Sequence, residues 1–598
     1  MAKCKADARF YLQQPVVLQR EVLCGVAATL LQIPETVAFS YVANLDPLAG
    51  LYATGFFGVI VGLFGGVPST VAGAAGALAV VMPQLTSSTG ALAALTYEQR
   101  VQHLVVAVFL AGVLQLIFGL LELSRFFSLI PRTAHMGFLN GLAIMMFLSQ
   151  KTTFQVCDAT ARREGLRFGE CEKQGRLEWM ALRDPTLWTT AALVAITALV
   201  MHLFPRVPRV GRLLPPTLVV AALGVGLEFG VNRPLLGYDV RTIGETSPLA
   251  GSLPSLRLPH VADVRDWAAV LSCAASLAAV GIFESIMTIQ AVVDLTPHGR
   301  LRLTRRVCRR ECVAQGVGNV VCGVFGAMGG CSMIGQSTGN VLNGARHRLS
   351  AVVCGLSTFA VVLFASPVMA RVPVACLTGI LLVIIAHTFH WPSLRLVWRL
   401  RATDALALVL VTALAAAVNL AVAVVAGVVW QSLVNAWTSG RQLHVSAATW
   451  ETVEVETQRS TTARVLRLHG ALQFSSVVAF RNAMEGVDDD PSDACAVVVL
   501  DLADAHVADF SATAALKELA LRCANARKTL VLRHADAHAV ELLLEHDVGW
   551  VLTGPHVALR QSHRSSVAGG EEDEEAGRSP AVATPRDSSG GSGPFHAM

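Results

Sequence analysis

Charge is what this sequence has least of. Of its 598 residues only 15% are Asp, Glu, Lys or Arg, while 53% are hydrophobic, and the mean hydropathy is +0.53. A soluble domain carries about 25% charge, so a chain this poor in charge cannot cover itself with a polar surface. Pro47 to Tyr97 and Ala405 to Gly440 contain no charged side chain. About 20 apolar residues at ~1.5 Å rise cross a bilayer core. The chain reads as a polytopic α-helical membrane protein.

Other absences narrow the function. A net charge of +4 spread over many loops offers nucleic acid no basic patch. Thirteen cysteines in so long a chain make no disulfide framework, and Cys24, Cys273, Cys322 and Cys354 lie in apolar runs as small hydrophobes. Cys308 and Cys312 lack the second ligand pair of a zinc site. Cys157 and Cys171 share a polar loop and could pair only if it faces outward. No Ser-His-Asp, P-loop or metal-ligand arrangement is present, so an enzyme is the weakest reading and no cofactor is expected. The segment 1–20 is basic and lacks the apolar core of a cleaved signal. Its Lys3, Lys5, Arg9 and Arg20 favour a cytoplasmic start.

What the sequence does have is apolar spans, fourteen by this reading: 21–42, 48–66, 68–84, 101–122, 126–149, 187–204, 213–231, 267–293, 311–327, 331–344, 349–370, 372–390, 405–421 and 423–437. Several are too short to cross alone. With the N-terminus inside, loops after even-numbered spans should be cytoplasmic and basic. Arg206, Arg209 and Arg212 fit, as do Arg346 and Arg348, and Arg395, Arg399 and Arg401. The strongest case is Arg300, Arg302, Arg305, Arg306, Arg309 and Arg310. The loop 150–186 breaks the pattern, because it is rich in Lys and Arg yet falls outside in this count. Its acids nearly balance them.

Two halves repeat weakly. Gly62-Leu63-Phe64-Gly65-Gly66 precedes the small-residue run Ala72 to Ala77, and Gly323-Val324-Phe325-Gly326-Ala327 precedes Met333 to Gly339. Seven spans separate them, and an odd number inverts the second copy. Matched, Gly-interrupted short segments point to the central site of a transporter, beyond the close helix packing that Gly and Ala also allow. Short helices starting near Ala74 and Met333 would aim free N–H groups at the midplane. Gly73, Gly76, Gly330 and Gly335 would leave room for a small anion, and Ser332 would donate a hydroxyl hydrogen bond.

Acids inside the spans carry the coupling argument. From Trp267 to Val293 the only charged residue is Glu284, and an intramembrane carboxylate must be protonated, paired or cation-bound. Thr288, one turn later, adds a hydroxyl on the same face. The pair suits Na⁺ or H⁺, or else a protonated acid bonded to a neighbouring backbone. In the first span Pro34 is expected to break the helix beside Gln32, an amide donor, and Glu35 is a second acid near the membrane or a vestibule.

At these residues the chain resembles the sulfate-permease (SulP) family, related to the animal solute-carrier anion exchangers. The resemblance covers roughly residues 15–560. It rests on Gln32-Ile33-Pro34-Glu35-Thr36-Val37-Ala38-Phe39, Pro47-Leu48-Ala49-Gly50-Leu51-Tyr52, Gly65-Gly66-Val67-Pro68-Ser69, Glu284-Ser285-Ile286-Met287-Thr288 and Gly329-Gly330-Cys331-Ser332-Met333-Ile334-Gly335-Gln336-Ser337. It implies fourteen spans as two inverted repeats of seven, a core domain moving against a gate domain, and a homodimer. Carried over by position, Gln32, Ala75, Gly76, Ser332, Met333 and Ile334 would line the anion site. Glu284 and Thr288 match the acid and hydroxyl that look like the cation site of sodium-coupled bicarbonate members. Ala74-Ala75 and Met333-Ile334 depart from the cyanobacterial bicarbonate carrier, which weakens the bicarbonate reading.

After Trp437 the character changes. The segment 442–561 alternates strands (463–468, 496–500, 529–532) with helices (512–525, 539–545), a soluble α/β domain that resembles the STAS module. Ser511 stands where phosphorylated relatives carry a serine, although a helix N-cap is the plainer role. Residues 564–598, with the run Glu571-Glu572-Asp573-Glu574-Glu575, read as a disordered tail.

The expected organisation is thus a cytoplasmic segment 1–20, a membrane domain 21–437, a cytoplasmic STAS domain 442–561 with a protein partner, and the tail. The expected function is a secondary transporter of sulfate or bicarbonate, coupled to Na⁺ or H⁺ by alternating access, embedded in the lipid of the plasma membrane. The rivals are an uncoupled exchanger or chloride-type channel of the same fold, and a non-transporting sensor.

Overall fold

The computed structural model describes residues 10–11, 13–88, 92–123, 131–164, 166, 168–207, 215–246, 251–296, 302–418, 420–446, 449–455, 459–487 and 497–545. Lys3, Lys5, Arg9, Arg209, Arg212, Arg300, the end of the expected STAS segment and the whole tail lie outside the described residues. The chain divides into two compact units, 1–432 and 433–598.

In the first unit apolar sequence becomes helix at nearly every expected span. The first half runs α1 (Pro15–Val42), α2 (Pro47–Phe64), the two-residue strand β1 (Ala72–Gly73), the short α3 (Gly76–Ala79) and α4 (Pro83–Thr86), then α5 (Tyr97–Leu120) and α6 (Arg132–Ser149). After a folded insertion come α9 (Pro185–Leu203) and α10 (Pro216–Leu227), which continues as a π-helix to Leu236, and then the short α11 (Ile243–Thr246). The second half holds α12 (Trp267–Asp294), α13 (Arg305–Val324), strand β4 (Cys331–Ser332), α14 (Ile334–Leu342), α15 (Leu349–Phe364), α16 (Ser366–Met369), α17 (Val374–Thr388), α18 (Pro392–Leu396), α19 (Ala402–Ala417) and α20 (Leu420–Gln442). Among the described residues eight helices are long and apolar enough to cross a membrane by themselves. The third and tenth expected spans are not continuous helices: the third is a strand followed by two short helical pieces, and the tenth a strand followed by the nine-residue α14.

Charged groups at helix ends find specific partners. Glu21, read as the first residue of an apolar span, is buried and accepts from the backbone N–H groups of Arg346, His347 and Ser350. It thereby satisfies donors at the start of α15 that the helix cannot satisfy itself.

The insertion is 3₁₀ turn Gln150–Phe154, β2 (Gln155–Cys157), α7 (Ala159–Arg163), α8 (Phe168–Gln174) and β3 (Leu177–Trp179), with β2 antiparallel to β3. Cys157 and Cys171 are disulfide-bonded. Arg241 clamps it, donating to the carbonyls of Thr152 and Gln155 while its guanidinium lies 3.3 Å from the Phe168 ring centroid. With Tyr41, Asp46, Val80 and Tyr97, this insertion roofs a cavity of about 430 Å³.

The second unit is an α/β layer. A five-stranded sheet has the order β5-β7-β8-β9, with β6 also paired to β7. Its strands are β5 (His444–Val445), β6 (Thr449–Val455), β7 (Arg459–Leu472), β8 (Val497–Val507) and β9 (Thr529–Arg533). Helices α21 (Val477–Ala483), α22 (Phe510–Asn525) and α23 (Ala537–Glu545) accompany it. The β8 run from Val497 to Leu502 is buried at every residue, as expected of a strand paired in parallel on both sides.

Candidate functional site

The two small-residue runs meet. β1 pairs antiparallel with β4, setting Ala72 opposite Ser332 and Gly73 opposite Cys331. The half-helices α3 and α14 therefore leave this pair in opposite directions, each with its first turn beside the crossing. The crossing is tight. A Cβ on Gly330 would lie 2.4 Å from the Gly73 carbonyl oxygen, and one on Gly73 would lie 2.2 Å from Gln32 Nε2. The expectation that Gly73 and Gly330 leave room for an anion is corrected here, since protein atoms fill both spaces. Gly76 likewise faces the Phe39 ring at 2.9 Å, and only Gly335 opens onto free space.

Polar side chains pin the crossing from both halves. Ser337 on α14 accepts from the Val71 N–H and donates to the Val71 carbonyl. Asn319 on α13 does the same for Gly330, at 3.0 and 3.1 Å, and also donates to Gln115 on α5. Thr54 on α2 accepts from the Ala74 N–H. Short strands with no sheet around them are held by side-chain amides and hydroxyls in place of neighbouring strands.

Of the expected anion-site residues, Gln32, Ala75, Gly76, Ser332 and Met333 are buried and Ile334 is half-buried, all at or beside the crossing. The Oε1 atom of Gln32 accepts from Cys354, while its Nε2 atom is buried with no acceptor. Ser332 is already engaged: its hydroxyl donates to Glu311 at 2.7 Å and accepts from Gln315 at 2.7 Å.

Glu284 and Thr288 of α12 flank the same strand. The half-buried Glu284 accepts from the Cys331 thiol at 3.0 Å. Thr288 donates to the carbonyls of Glu284 and Ser332, and among the described residues no side chain donates to its hydroxyl. Glu35 on α1 accepts from Gln336 of α14.

A third acid went unread. Glu311 is wholly buried on α13, where its carboxylate collects Ser332 Oγ, Gln315 Nε2 and the Gly66 N–H, the last at 2.7 Å. Glu311, Gln315 and Asn319 are spaced four apart, a polar ladder on one face of a helix, and that spacing was the available signal. Among the described residues neither Glu284 nor Glu311 has a Lys or Arg within ion-pair distance.

In the second unit Ser511 is half-buried in the first turn of α22. It is not the cap: Asp509 is, accepting from the Ala512 N–H at 2.9 Å and the Phe474 N–H at 2.7 Å. Nearby, buried Asp501 on β8 accepts from His534 and the Ala503 N–H. Burial pushes its carboxyl upward, but these bonds outweigh burial and hold it below the usual aspartate range.

Comparison with known proteins agrees with this architecture. The model of the sulfate permease family matches residues 18–411. The putative sulfate transporter YbaR of Bacillus subtilis is 29% identical over 504 residues, 84% of this chain and 91% of that protein. The bicarbonate transporter BicA of Picosynechococcus is 27% identical over 69% of each chain. Among solved structures, the transmembrane domain of a cyanobacterial BicA superposes with a TM-score of 0.56 at 26% identity, covering 68% of this chain and 97% of that one. SLC26A9 shares the fold, with a TM-score of 0.70 at 16% identity over 95% of each chain. These relatives are transporters rather than enzymes. Two short Gly-rich segments cross beside Glu284 and Glu311 in a multi-pass helical protein, the family match spans about two thirds of the sequence, and the chain belongs to the sulfate permease family of anion transporters.

Proposed function

We propose that the protein is a secondary transporter of a small inorganic anion, sulfate or bicarbonate, coupled to Na⁺ or H⁺ through Glu284 and working by alternating access. The carrying observation is the buried, unaccepted Nε2 donor of Gln32 beside the β1–β4 crossing, with half-buried Glu284 across the strand. An anion at Gln32, Ala75, Gly76, Ser332, Met333 and Ile334 would accept from that amide and from the first turns of the half-helices. A site of amides and hydroxyls without Lys or Arg holds an anion weakly enough to release it. A cation at Glu284 and Thr288 would offset the anion's charge, which is the physical basis of coupling.

A second reading keeps the fold and drops the coupling, giving an exchanger or chloride-type channel. It is favoured by the bonds Glu284 and Thr288 already make within the protein. The Cys157–Cys171 disulfide supports an external insertion, since such bonds persist in oxidising compartments. With an external insertion the N-terminus and the second unit face the cytoplasm of a plasma-membrane protein. On this reading the α/β second unit would be a STAS module with Ser511 as a regulatory position and a protein partner, and the transporter a homodimer.

Uptake of labelled sulfate and labelled bicarbonate by reconstituted liposomes, with an inward Na⁺ gradient, an inward H⁺ gradient or neither, tests the proposal. Uphill accumulation of one anion under one gradient is expected. Downhill flux in every condition selects the uncoupled reading.

A further inference from the structure

The connection between α17 and α19 lies outside the candidate anion and cation sites and carries a feature of its own. The apolar stretch Val374–Leu396 ends in it and the shorter apolar helix α19 follows, so the Arg-bearing turn stands at a membrane boundary. Asn140 of α6 pins it in place: its Nδ2 donates to Ser393 Oγ at 2.8 Å and its Oδ1 accepts from the His390 N–H at 2.9 Å. Buried Ser393 thus fixes the inward side of α18. Leu396, Val397 and Leu400 are half-buried, while Trp391, Leu394 and Trp398 are exposed by 59%, 53% and 88%.

Arg395, Arg399 and Arg401 are exposed on the same short stretch. From Phe389 to Thr403 there is no Asp or Glu. Among the described residues none of these three guanidiniums donates to a protein acceptor or pairs with a carboxylate. Other arginines of the unit do: Arg309 pairs with Glu122, Arg233 with Glu228, and Arg176 with Glu164. Three unpaired guanidiniums interleaved with outward Trp and Leu form a defined surface. Guanidiniums match the oxygens of a phosphate, Trp settles at headgroup depth, and Leu reaches the acyl boundary. A soluble anion would use the arginines and have no use for the apolar side chains.

We propose that this face binds the phosphate of an anionic phospholipid in the leaflet on that side of the membrane. Each basic residue near a charged bilayer favours anionic lipid by about fivefold. Because Asn140 ties the connection to α6, the bound headgroup would sit at a fixed place on the protein.

The test uses the full chain with benzoylphenylalanine at position 398, in vesicles of equal parts phosphatidylglycerol and phosphatidylcholine. Photoadducts are counted by mass spectrometry. An adduct ratio favouring phosphatidylglycerol by about fivefold or more is expected, falling towards the vesicle ratio in the triple variant R395Q/R399Q/R401Q. High salt should lower the ratio in the unsubstituted arginine background, a second readout that needs no arginine variant. A ratio equal to that of the vesicle, a ratio insensitive to both salt and the three substitutions, or loss of the preference on adding millimolar inorganic phosphate would overturn the proposal. The readout is independent of transport, so it stands or falls apart from the coupling assignment.

Discussion

The Cys331 thiol donates to Glu284 at 3.0 Å while the next residue, Ser332, donates to Glu311 at 2.7 Å. One two-residue strand thus holds a carboxylate on either side, one half-buried and one wholly buried. The difference in access divides their roles. A group that must exchange a cation has to be reached from outside, and the half-buried Glu284 is the more accessible of the two. Glu284→Gln should therefore abolish uphill accumulation while leaving downhill anion flux, measured in the same liposomes. Cys331→Ala, which removes only the thiol donor, should keep accumulation. Unchanged gradient dependence in Glu284→Gln would sink the coupling role.

Glu311 has the geometry of a structural acid, with three donors converging on it. Ser332→Ala removes the hydroxyl's bonds to Glu311 and Gln315, while Gln315 keeps its bond to Glu311, and should cost about 1–2 kcal/mol. Glu311→Ala strips the acceptor from all three donors and should cost more, about 3 kcal/mol. Thermal unfolding of the purified protein in detergent checks both. A Glu311→Ala protein as stable as wild type would show that water replaces the carboxylate.

The glycines of the crossing separate by the space around them. Gly330→Ala drives a Cβ to 2.4 Å from a backbone oxygen that cannot swing aside, whereas Gly335 has nothing within 4 Å. The first substitution should cost about 3 kcal/mol or more and lower the yield of folded protein. The second should be neutral. Size-exclusion profiles of the two variants side by side decide it.

How much of this was visible in the sequence depends on how far apart the partners lie. The Gly-rich runs, the lone acid of α12 and the strands β7, β8 and β9 are local patterns, and they fall where expected. Glu311 was missed because it follows an Arg-rich stretch and reads as a span boundary, while Gly66, whose N–H it accepts, is 245 residues away. The glycines were seen, but their use was misread, because a chain crossing is a long-range event. Strand β6 escaped because Thr449–Val455 mixes charged and apolar residues, and only its pairing with β7 defines it. Asp509, two residues before Ser511, took the capping role by geometry that spacing alone left open.

The disulfide of the insertion closes a loop with a sequence separation of 14. Chain-entropy arguments give about 3 kcal/mol for a loop of this size. Cys157→Ser should accordingly loosen 150–186 while leaving the helices folded. Limited proteolysis of intact cells, with and without reductant, should show cleavage in this segment only when the bond is absent. Cleavage equal in both states would mean that Arg241 and the β2–β3 pairing hold the insertion unaided.

Asp501 gives the second unit a defined acid response. Its folded carboxyl titrates below the usual aspartate value, held there by His534 at 2.8 Å, the Ala503 N–H at 3.0 Å and Arg467 at 3.6 Å against the opposing effect of burial. A depressed folded value means that the unfolded chain takes up a proton first. The stability contribution is therefore complete above the unfolded value, about 3.9, and is lost as pH falls through the folded one. Hydrogen exchange of β8 and β9 in the full-length protein should accelerate as pH drops below about 4, beyond the intrinsic change in exchange chemistry. Asp501→Asn should lower protection at neutral pH by about 1 kcal/mol and flatten this acid dependence. An unaltered acid profile in Asp501→Asn would assign the response to another carboxylate of the sheet.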